Sequence, residues 1–155
     1  MKIASWNVNS LNVRLPQVLA WLAAEQPDVL ALQETKLTDD KFPAQEIRAA
    51  GYQVVFAGQK TYNGVAVLSK QTAQDIVTDL PGLDDPQRRV LGATFGDLCV
   101  LNVYVPNGQA VGSDKFAYKL GWLEKLVDYA ARQLRRHPRL VLLGDAAHTA
   151  HFSIG

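Results

Sequence analysis

The chain has 155 residues, 48% of them hydrophobic, which is enough to bury the core of one domain or of part of a larger one. Its 16 Lys and Arg residues nearly balance 15 Asp and Glu residues. The net charge is therefore too small to attract nucleic acid to the molecule as a whole, and any such contact must come from a local patch. A lone cysteine, Cys99, excludes an internal disulfide. Because it lies in an apolar run, we expect a buried small residue in a reducing compartment.

The start of the sequence carries no recognisable targeting signal. Met1 and Lys2 lead directly into an apolar run, without the basic, apolar and cleavage regions of a signal peptide. No apolar stretch reaches the roughly 20 residues needed to span a bilayer. These features predict a cytoplasmic protein with no membrane partner.

The first elements predict a strand–helix–strand unit. Apolar runs at 3–6 and 29–33 indicate strands buried on both faces. Between them, a helix is marked by apolar residues at helical spacing: Leu15, Val18, Leu19 and Leu22. Pro16 suits the first turn of this helix, and Pro27 marks its end. This order favours parallel strands joined by a right-handed crossover.

The middle of the sequence predicts antiparallel pairing. Residues 43–50, closed by Gly51, indicate a short helix. Apolar runs joined by turns that contain Gly or Asp then predict strands at 52–57, 64–69, 76–79, 90–95 and 98–104.

The longest helix is predicted near the end of the chain. It is marked by apolar residues at helical spacing: Phe116, Leu120, Leu123, Val127, Ala130 and Leu134. Ser113 is a candidate N-cap, and the basic residues at 135–137 suit the negative end of the helix dipole. Pro138 ends the helix, and residues 140–143 return to the sheet. The alternation of strands and helices predicts an α/β fold.

Polar side chains stand where apolar runs end. Asn7 and Glu34 follow the first two runs, Tyr104 follows the run at 100–103, and Asp145 follows the last run. Open α/β sheets carry their chemistry beyond the carboxyl ends of the strands, so we expect these side chains to meet at one rim. The alternative is a local role, because Asn and Asp commonly form turns and Tyr is common in strands.

The chemistry of these residues suits a hard metal ion and a phosphate. Glu34 offers oxygen ligands to Mg²⁺, which usually takes one or two protein carboxylates and completes its shell with water or substrate. Asn7 can hydrogen-bond a ligand carboxylate or a phosphate oxygen. Asp145 can orient or deprotonate a metal-assisted water. Together they predict phosphodiester hydrolysis.

Several segments form a recognisable series: Ile3-Ala-Ser-Trp-Asn-Val-Asn9, Leu32-Gln-Glu-Thr-Lys36, Tyr62-Asn-Gly-Val-Ala66, Asn102-Val-Tyr-Val-Pro-Asn-Gly108 and Leu142-Leu-Gly-Asp145. In order and spacing they resemble the amino-terminal half of the bacterial exonuclease III family, in the endonuclease/exonuclease/phosphatase superfamily. The second and fourth segments look like the DNA-repair branch rather than the lipid phosphatase or sphingomyelinase branches. A phosphodiesterase of another branch is the weaker alternative.

The resemblance implies both a fold and a set of roles. The fold is half of a four-layer α/β/β/α sandwich, with a mixed sheet and flanking helices, over residues 1–145, and with the second sheet beyond the chain. Glu34 is implied as the principal ligand of Mg²⁺, or of Mn²⁺ in its place, with Asn7 beside it. Tyr104 would contact the scissile phosphate, and Asp145 would align the attacking water.

Further residues are implied on the substrate side. Asn107 and Gly108 look like the family loop that holds a DNA phosphate. Asn63 is either a substrate-side residue or part of a hairpin turn with Gly64. The basic candidates for phosphate contacts, each otherwise a solvated surface charge, are Lys36, Arg88, Arg14 and Arg89. The implied substrate is double-stranded DNA with abasic sites or 3′ ends.

The resemblance stops after Asp145. The family continues with Phe-Asn where this chain has Ala146-Ala147, and the tail 146–155 looks unrelated. The family's further catalytic Asp and its Asp-His pair have no counterpart. His137 suits a helix end, whereas His148 and His151 belong to the tail.

We therefore expect little or no turnover by this chain alone. Self-association is expected if the sandwich is truncated, because an incomplete sandwich exposes apolar surface. The alternative is a non-catalytic fragment that at most binds DNA or a partner.

Overall fold

The computed structural model describes residues 1–146, and no helix in that range is long and apolar enough to cross a membrane. A short 3₁₀ turn lies at Asp39–Lys41. The other elements of the described range are β1 Ile3–Asn7, α1 Leu11–Glu25, β2 Val29–Gln33, α2 Ala44–Ala49, β3 Gln53–Ala57, β4 Val65–Ser69, β5 Gln74–Val77, β6 Val90–Phe95, β7 Leu98–Val105, α3 Asp114–Arg136 and β8 Arg139–Ala146.

The first sheet has the strand order β1-β2-β4-β3. Strands β1 and β2 are parallel, whereas β4 pairs antiparallel with both β2 and β3. Helices α1 and α2 cover its outer face, where Leu11, Leu22 and Ile47 are fully buried. The parallel opening unit and the antiparallel middle of the chain are as the sequence predicted.

The second sheet has the strand order β5-β6-β7-β8. Strands β5, β6 and β7 are antiparallel neighbours, and β8 runs parallel to β7 after the crossover through α3. Helix α3 covers the outer face with the buried side chains of Trp122, Leu126 and Tyr129.

The two sheets pack face to face, giving the layer order helix, sheet, sheet, helix. Their inner faces share one cluster that includes Val65 and Val67 of the first sheet and Leu91 and Val100 of the second. The predicted α/β class, with mixed sheets and flanking helices, is confirmed. The expectation that the second sheet lies beyond the chain is wrong, because the described residues contribute four strands to each sheet. Apolar runs predict strands but do not say in which sheet each strand pairs.

A buried polar contact crosses the interface between the sheets. The Nε2 of Gln33 donates to the Oδ1 of Asn102 at 2.8 Å, and both residues are 0% exposed. The amide of Asn102 in turn donates to the carbonyl oxygens of Leu32 and Ala66, each at 2.9 Å. These bonds join β7 to β2 and β4 and fix how the sheets align.

Within residues 1–146, each sheet ends on the same side of the molecule in a strand that has a neighbour on one edge only. Strand β1 borders the first sheet and β8 borders the second, and a hydrogen bond between Asn7 and Asp145 joins them. Along β8 the side chains alternate between half-buried and exposed, and Leu142 is 43% exposed.

Several element boundaries differ from the prediction. Strand β8, expected at 140–143, covers Arg139–Ala146, so Asp145 lies within the strand. Helix α1 begins at Leu11, so Pro16 lies in its second turn rather than its first. The start is fixed from outside the helix, since the Ser10 and Leu11 amides donate to the Glu34 and Thr35 carbonyls at 2.8 and 3.0 Å. Strand β5 covers 74–77 instead of 76–79, and its pairing with β6 contains a register shift between Gln74 and Val77.

Helix α3 has the predicted ends but buries an unexpected face. The Ser113 side chain accepts from the Phe116 amide at 3.1 Å, and the helix ends before His137. The buried residues are Lys119, Trp122, Leu126, Tyr129 and Gln133. The apolar stripe that marked this helix in the sequence lies entirely outside that set, and only Leu123 and Ala130 of the stripe pack against the core cluster as partly buried residues.

Candidate active site

The four polar residues at the strand ends lie at one rim of the sandwich. Asn7 is the last residue of β1, and Glu34 directly follows β2. Tyr104 and Asp145 are register partners near the ends of β7 and β8. The first pair comes from one sheet and the second pair from the other.

Two contacts join these residues across the interface between the sheets. The Tyr104 hydroxyl donates to Oε1 of Glu34. The Nδ2 of Asn7 donates to Oδ2 of Asp145 at 2.6 Å. The structure therefore brings together all four side chains that the sequence placed at strand ends.

The backbone at Glu34 adopts an uncommon conformation. Its φ angle is +55°, in the left-handed region that non-glycine residues seldom occupy. Backbone bonds hold the residues that follow Glu34: the Thr35 amide donates to the Gly64 carbonyl at 3.2 Å, and the Lys36 amide donates to the Asn63 carbonyl at 2.9 Å. Strain that the surroundings enforce in this way is typical of functional sites.

Gly64 makes this support possible. Its φ angle is +94°, and a Cβ atom there would lie 2.1 Å from Oγ1 of Thr35. Its own amide donates to the Arg88 carbonyl at 2.9 Å. Asn63 and Gly64 thus connect three loops of the rim, which is more than a hairpin turn between β3 and β4 requires.

Tyr104 is held as a neutral hydrogen-bond donor. Burial, followed by the hydrogen bond and charge of Glu34, raises the pKa of the Tyr104 phenol to about 12. Arg89 opposes this shift, because its guanidinium lies 4.8 Å from the Tyr104 ring centroid. Arg89 also donates to the Tyr104 carbonyl at 3.2 Å.

An open cleft of about 430 Å³ adjoins Glu34 and Tyr104. It is lined by Glu34, Lys36, Gln59, Tyr62, Asn63, Gln87, Arg89, Tyr104, Pro106, Asn107, Lys115 and Tyr118. Four of the substrate-side residues taken from the sequence therefore face the cleft: Lys36, Asn63, Arg89 and Asn107. The Lys36 ammonium lies 3.7 Å from Oε2 of Glu34 and donates to Oδ1 of Asn9 at 2.6 Å.

Other candidates from the sequence are placed elsewhere. The Arg88 guanidinium pairs with the Asp79 carboxylate at 3.1 Å and does not line the cleft. Arg14, on α1, is also outside the lining. At Gly108 an added Cβ would lie 3.0 Å from the Lys119 side chain, so the close approach there is to α3.

Sequence reasoning missed several residues that line the cleft. Tyr62 is 68% exposed, and it begins a segment that the sequence had singled out for Asn63 and Gly64. Tyr118 donates to the Asp85 carboxylate, which ties α3 to the loop before β6. Gln59 accepts from the Asn63 side chain at 3.0 Å and from the Arg88 amide at 2.8 Å. The loop residues Gln59 and Gln87 follow no periodic pattern, so no sequence signal identified them.

The donor set fits a hard metal that takes few protein ligands. Within residues 1–146 no three His, Cys, Asp or Glu side chains cluster as a metal cage would require. Glu34 supplies carboxylate oxygens beside the open cleft, with Asn7 and Asp145 at the same rim. Mg²⁺ is commonly bound through one or two carboxylates with water and substrate oxygens completing its shell. His148 and His151 lie outside the described residues.

Several known proteins are similar to this chain in sequence, and solved structures are similar to it in fold. It is 35% identical to exodeoxyribonuclease III of Haemophilus influenzae over 94% of this chain and 57% of the relative. A 3′ phosphatase from Neisseria, solved with a product DNA hairpin, is 54% identical with a TM-score of 0.91, over 93% of this chain and 56% of that one. An AP endonuclease from Archaeoglobus fulgidus is 40% identical with a TM-score of 0.88, over 94% and 56%.

The chain thus spans a little over half the length of these proteins. The model of the Endonuclease/Exonuclease/phosphatase family matches residues 4–146, which include the four rim residues and the lining of the cleft. This chain therefore belongs to the Endonuclease/Exonuclease/phosphatase family.

Proposed function

We propose that residues 1–145 form the amino-terminal part of a Mg²⁺-dependent DNA phosphodiesterase of the exonuclease III kind. The observation that carries this proposal is the convergence of Asn7, Glu34, Tyr104 and Asp145 from two sheets at one rim. Residues 146–155 are proposed to lie outside the family domain. A cytoplasmic location is also proposed, from the single buried cysteine.

Each rim residue is assigned one task. Glu34 is the principal metal ligand, and Asn7 lies beside it. The Tyr104 hydroxyl is neutral at physiological pH, since the pKa of its phenol is raised to about 12, so it can donate to a phosphate oxygen. Asp145 accepts from Asn7 through Oδ2, which orients the carboxylate while leaving other lone pairs to accept from a water.

When bound, Mg²⁺ or Mn²⁺ would supply Lewis-acid polarisation of the phosphate. The fold holds Glu34, the proposed metal ligand, beside the cleft in a left-handed backbone conformation. Lys36 lies 3.7 Å from Glu34 and adds a positive charge on the same side.

The proposed substrate is double-stranded DNA with an abasic site or a 3′ end. The similar proteins carry names of DNA enzymes, and the Neisseria structure contains a product DNA hairpin. In this chain Lys36, Arg89 and Lys115 line the cleft and supply the local positive charge that the net charge of +1 does not.

Because we expect little or no turnover by this chain alone, the proposal is tested in a chimera with a longer relative. Residues 1–146 would replace the matching part of the Neisseria 3′ phosphatase, and abasic-site cleavage and 3′ phosphate release would be followed with and without Mg²⁺. We expect a metal-dependent enzyme that loses at least about 10²-fold in rate with Glu34→Gln. Glu46→Gln, an exposed acid on α2, is the matched control and should leave the rate unchanged.

The same assay on the 155-residue chain should give little or no turnover, because groups that act as a unit fail together. The proposed chemistry would be refuted if the chimera cleaved DNA equally fast without a metal ion, or if Glu34→Gln left its rate unchanged.

A second candidate function is a non-catalytic fragment that binds DNA or a partner, with self-association when alone. The observation favouring it is the pair of open strands, β1 and β8, on one side of the sandwich. An inactive chimera that still folds would favour this alternative.

A further inference from the structure

A second cavity lies between helix α3 and the outer face of the second sheet. Its volume is about 300 Å³, and its walls come from β5, β6, β7, α3 and the loop that follows β5. Cys99 lines it near the start of β7, about 17 Å along the extended strand from Tyr104. Cys99 packs in the cluster under α3, whereas Tyr104 packs in the cluster between the sheets. The cavity is therefore separate from the cleft of the proposed active site.

Four buried residues form the floor of this cavity. Thr94 of β6 and Cys99 of β7 are register partners and are 4% and 2% exposed. Tyr129 and Gln133 lie one turn apart on α3 and are 5% and 8% exposed. Within residues 1–146, neither the Tyr129 hydroxyl nor the Gln133 side-chain amide has a hydrogen-bond partner in the protein. Buried polar groups normally have such a partner, so two groups without one at the same cavity point to a ligand that supplies it.

The backbone around the cavity leaves room beside the Tyr129 hydroxyl. Gly92 of β6 lines the cavity, and a Cβ atom added there would lie 3.4 Å from that hydroxyl. A glycine inside a strand often marks a place where a ligand approaches the backbone closely. The neighbouring strand β5 contains a register shift between Gln74 and Val77, and Asp75 has a φ angle of +49°. Such irregularities commonly redirect a side chain, and Asp75 lines the cavity.

The mouth of the cavity carries two positive charges and one negative charge. Arg132 and Arg136 lie one turn apart on α3, and Asp75 lies on β5. All three residues are exposed, and none of them forms an ion pair with another residue in the part of the chain that the structure describes. Burial raises the pKa of the Tyr129 phenol, and the charges of Arg136 and Arg132 oppose that shift. The two guanidinium groups therefore act electrostatically on the floor of the cavity.

These groups define the chemistry of a ligand. Two guanidinium groups suit a phosphate, whose oxygens accept paired hydrogen bonds and which carries a charge of about −1.5 to −2 near pH 7. The Asp75 carboxylate only accepts hydrogen bonds and repels a second anion, so the rest of the ligand is uncharged and bears hydroxyl donors. Val77 and Pro81 add apolar walls for its carbon atoms. The volume of about 300 Å³ lies at the lower end of the range for small-molecule sites.

We propose that this cavity binds a small phosphate monoester with a hydroxylated body, the chemistry that sugar phosphates and nucleotides share. The phosphate lies at the mouth beside Arg132 and Arg136, and the hydroxyl groups of the body bond to Tyr129, Gln133 and Asp75. A ligand there leaves the proposed active site open, because the cavity lies at the other end of β7. The proposal uses binding alone and does not depend on the metal chemistry above.

The test is isothermal titration calorimetry of the 155-residue chain with ribose 5-phosphate in the absence of divalent metal. We expect ribose 5-phosphate to bind more tightly than inorganic phosphate or ribose, each titrated alone. Adenosine 5′-monophosphate, titrated in parallel, distinguishes a nucleotide from a sugar phosphate as the source of the same chemistry. Arg136→Met should weaken the binding of ribose 5-phosphate about tenfold or more, because charge-assisted hydrogen bonds are lost.

Arg135→Met is the matched control, because it removes the same charge from the preceding residue of α3, which does not line the cavity. It should leave the affinity unchanged. Lys36→Met, in the cleft of the proposed active site, should leave the affinity unchanged as well, which separates this test from that of the proposed function. Circular dichroism should show that every variant is folded.

Gln133→Leu distinguishes a binding role for the cavity floor from a structural one. The variant should weaken the binding of ribose 5-phosphate about fivefold, through the loss of one hydrogen bond to the ligand. It should not lower the midpoint of urea unfolding, because the Gln133 amide has no partner within residues 1–146 to lose.

Four results would overturn the proposal. Ribose 5-phosphate could bind no more tightly than inorganic phosphate, or Arg136→Met and Arg135→Met could bind it equally well. Loss of binding in Lys36→Met would place the ligand in the cleft of the proposed active site. A destabilised Gln133→Leu variant with unchanged affinity would give Gln133 a structural role instead.

Discussion

Tyr104 and Glu34 come from different sheets, and the hydrogen bond between them reports whether those sheets are correctly aligned. Burial and Glu34 raise the pKa of the Tyr104 phenol from its ordinary value of 10 to about 12. The neutral phenol therefore stabilises the fold fully below pH 10, and this contribution is lost as the pH rises through about 12.

Replacing Glu34 by Gln should lower the pKa of the Tyr104 phenol. The carboxylate raises that pKa through its charge and its hydrogen bond, while the contribution of burial remains, so the value should stay above 10. Ultraviolet titration of the variant, with Tyr104→Phe subtracted to isolate this phenol, measures the change. Arg89→Met should shift the pKa the opposite way, because Arg89 lowers it. An unchanged titration in Glu34→Gln would mean that the hydrogen bond is absent in solution.

Gly64→Ala should destabilise the protein far more than Gly51→Ala. Both glycines have positive φ angles, +94° and +92°, so both variants carry the cost of a left-handed alanine, about 1–2 kcal/mol. Only at residue 64 would the new Cβ meet a neighbour, Oγ1 of Thr35 at 2.1 Å. We expect an additional ~1–3 kcal/mol from overpacking, measured by urea unfolding. Equal losses would show that the contact at Thr35 relaxes freely.

At the scale of elements, sequence reasoning succeeded where the signal is local. Ser113 as an N-cap, Pro138 after the last helix and the strand-terminal Asn7 and Glu34 depend on neighbouring residues, and the structure has them as expected. Local signals do not say which strands pair, so the second sheet was wrongly placed beyond the chain.

Helix α3 shows why the packing of the elements could not be predicted from the sequence. It carries two apolar stripes, and the less obvious one, flanked by Lys119 and Gln133, is buried. Which of the two stripes becomes buried depends on how the helix is placed on the second sheet, and the helix sequence alone does not specify that placement. The Arg88 side chain is a similar case, because its partner Asp79 is set by the path of a loop.

The buried amide pair between the sheets should behave as a coupled unit. Asn102→Leu alone would remove the donor to the Leu32 and Ala66 carbonyls and one acceptor of Gln33, whose Nε2 keeps its bond to Ser5 Oγ at 3.1 Å. The cost is about 1–3 kcal/mol for each group left unsatisfied. Gln33→Leu combined with Asn102→Leu should cost less than the sum of the single variants, with a coupling of about 0.5–3 kcal/mol. A double-mutant cycle by urea unfolding measures this. Simple additivity would mean that the pair does not fix the alignment of the sheets.

At the scale of the whole molecule, the covered and uncovered surfaces are unevenly distributed. Helices cover both outer faces, and the two sheets cover each other. In the part of the chain that the structure describes, the strands β1 and β8, by contrast, leave two backbone edges without a strand partner on one side, near the proposed active site. Unpaired edges are where other chains add strands, so this side should govern how the chain associates.

Leu142→Lys should therefore reduce self-association of the isolated chain. Lysine on an edge strand opposes pairing with another edge, and Leu142 is already 43% exposed, so the fold should tolerate the charge. The matched control is Ile76→Lys, on the edge strand β5 at the other end of the same sheet, where Ile76 is 48% exposed. Light scattering across a concentration series would compare the two. If both lysines act alike, net charge rather than the β8 edge controls association, because each variant adds the same charge and only one adds it at the open side.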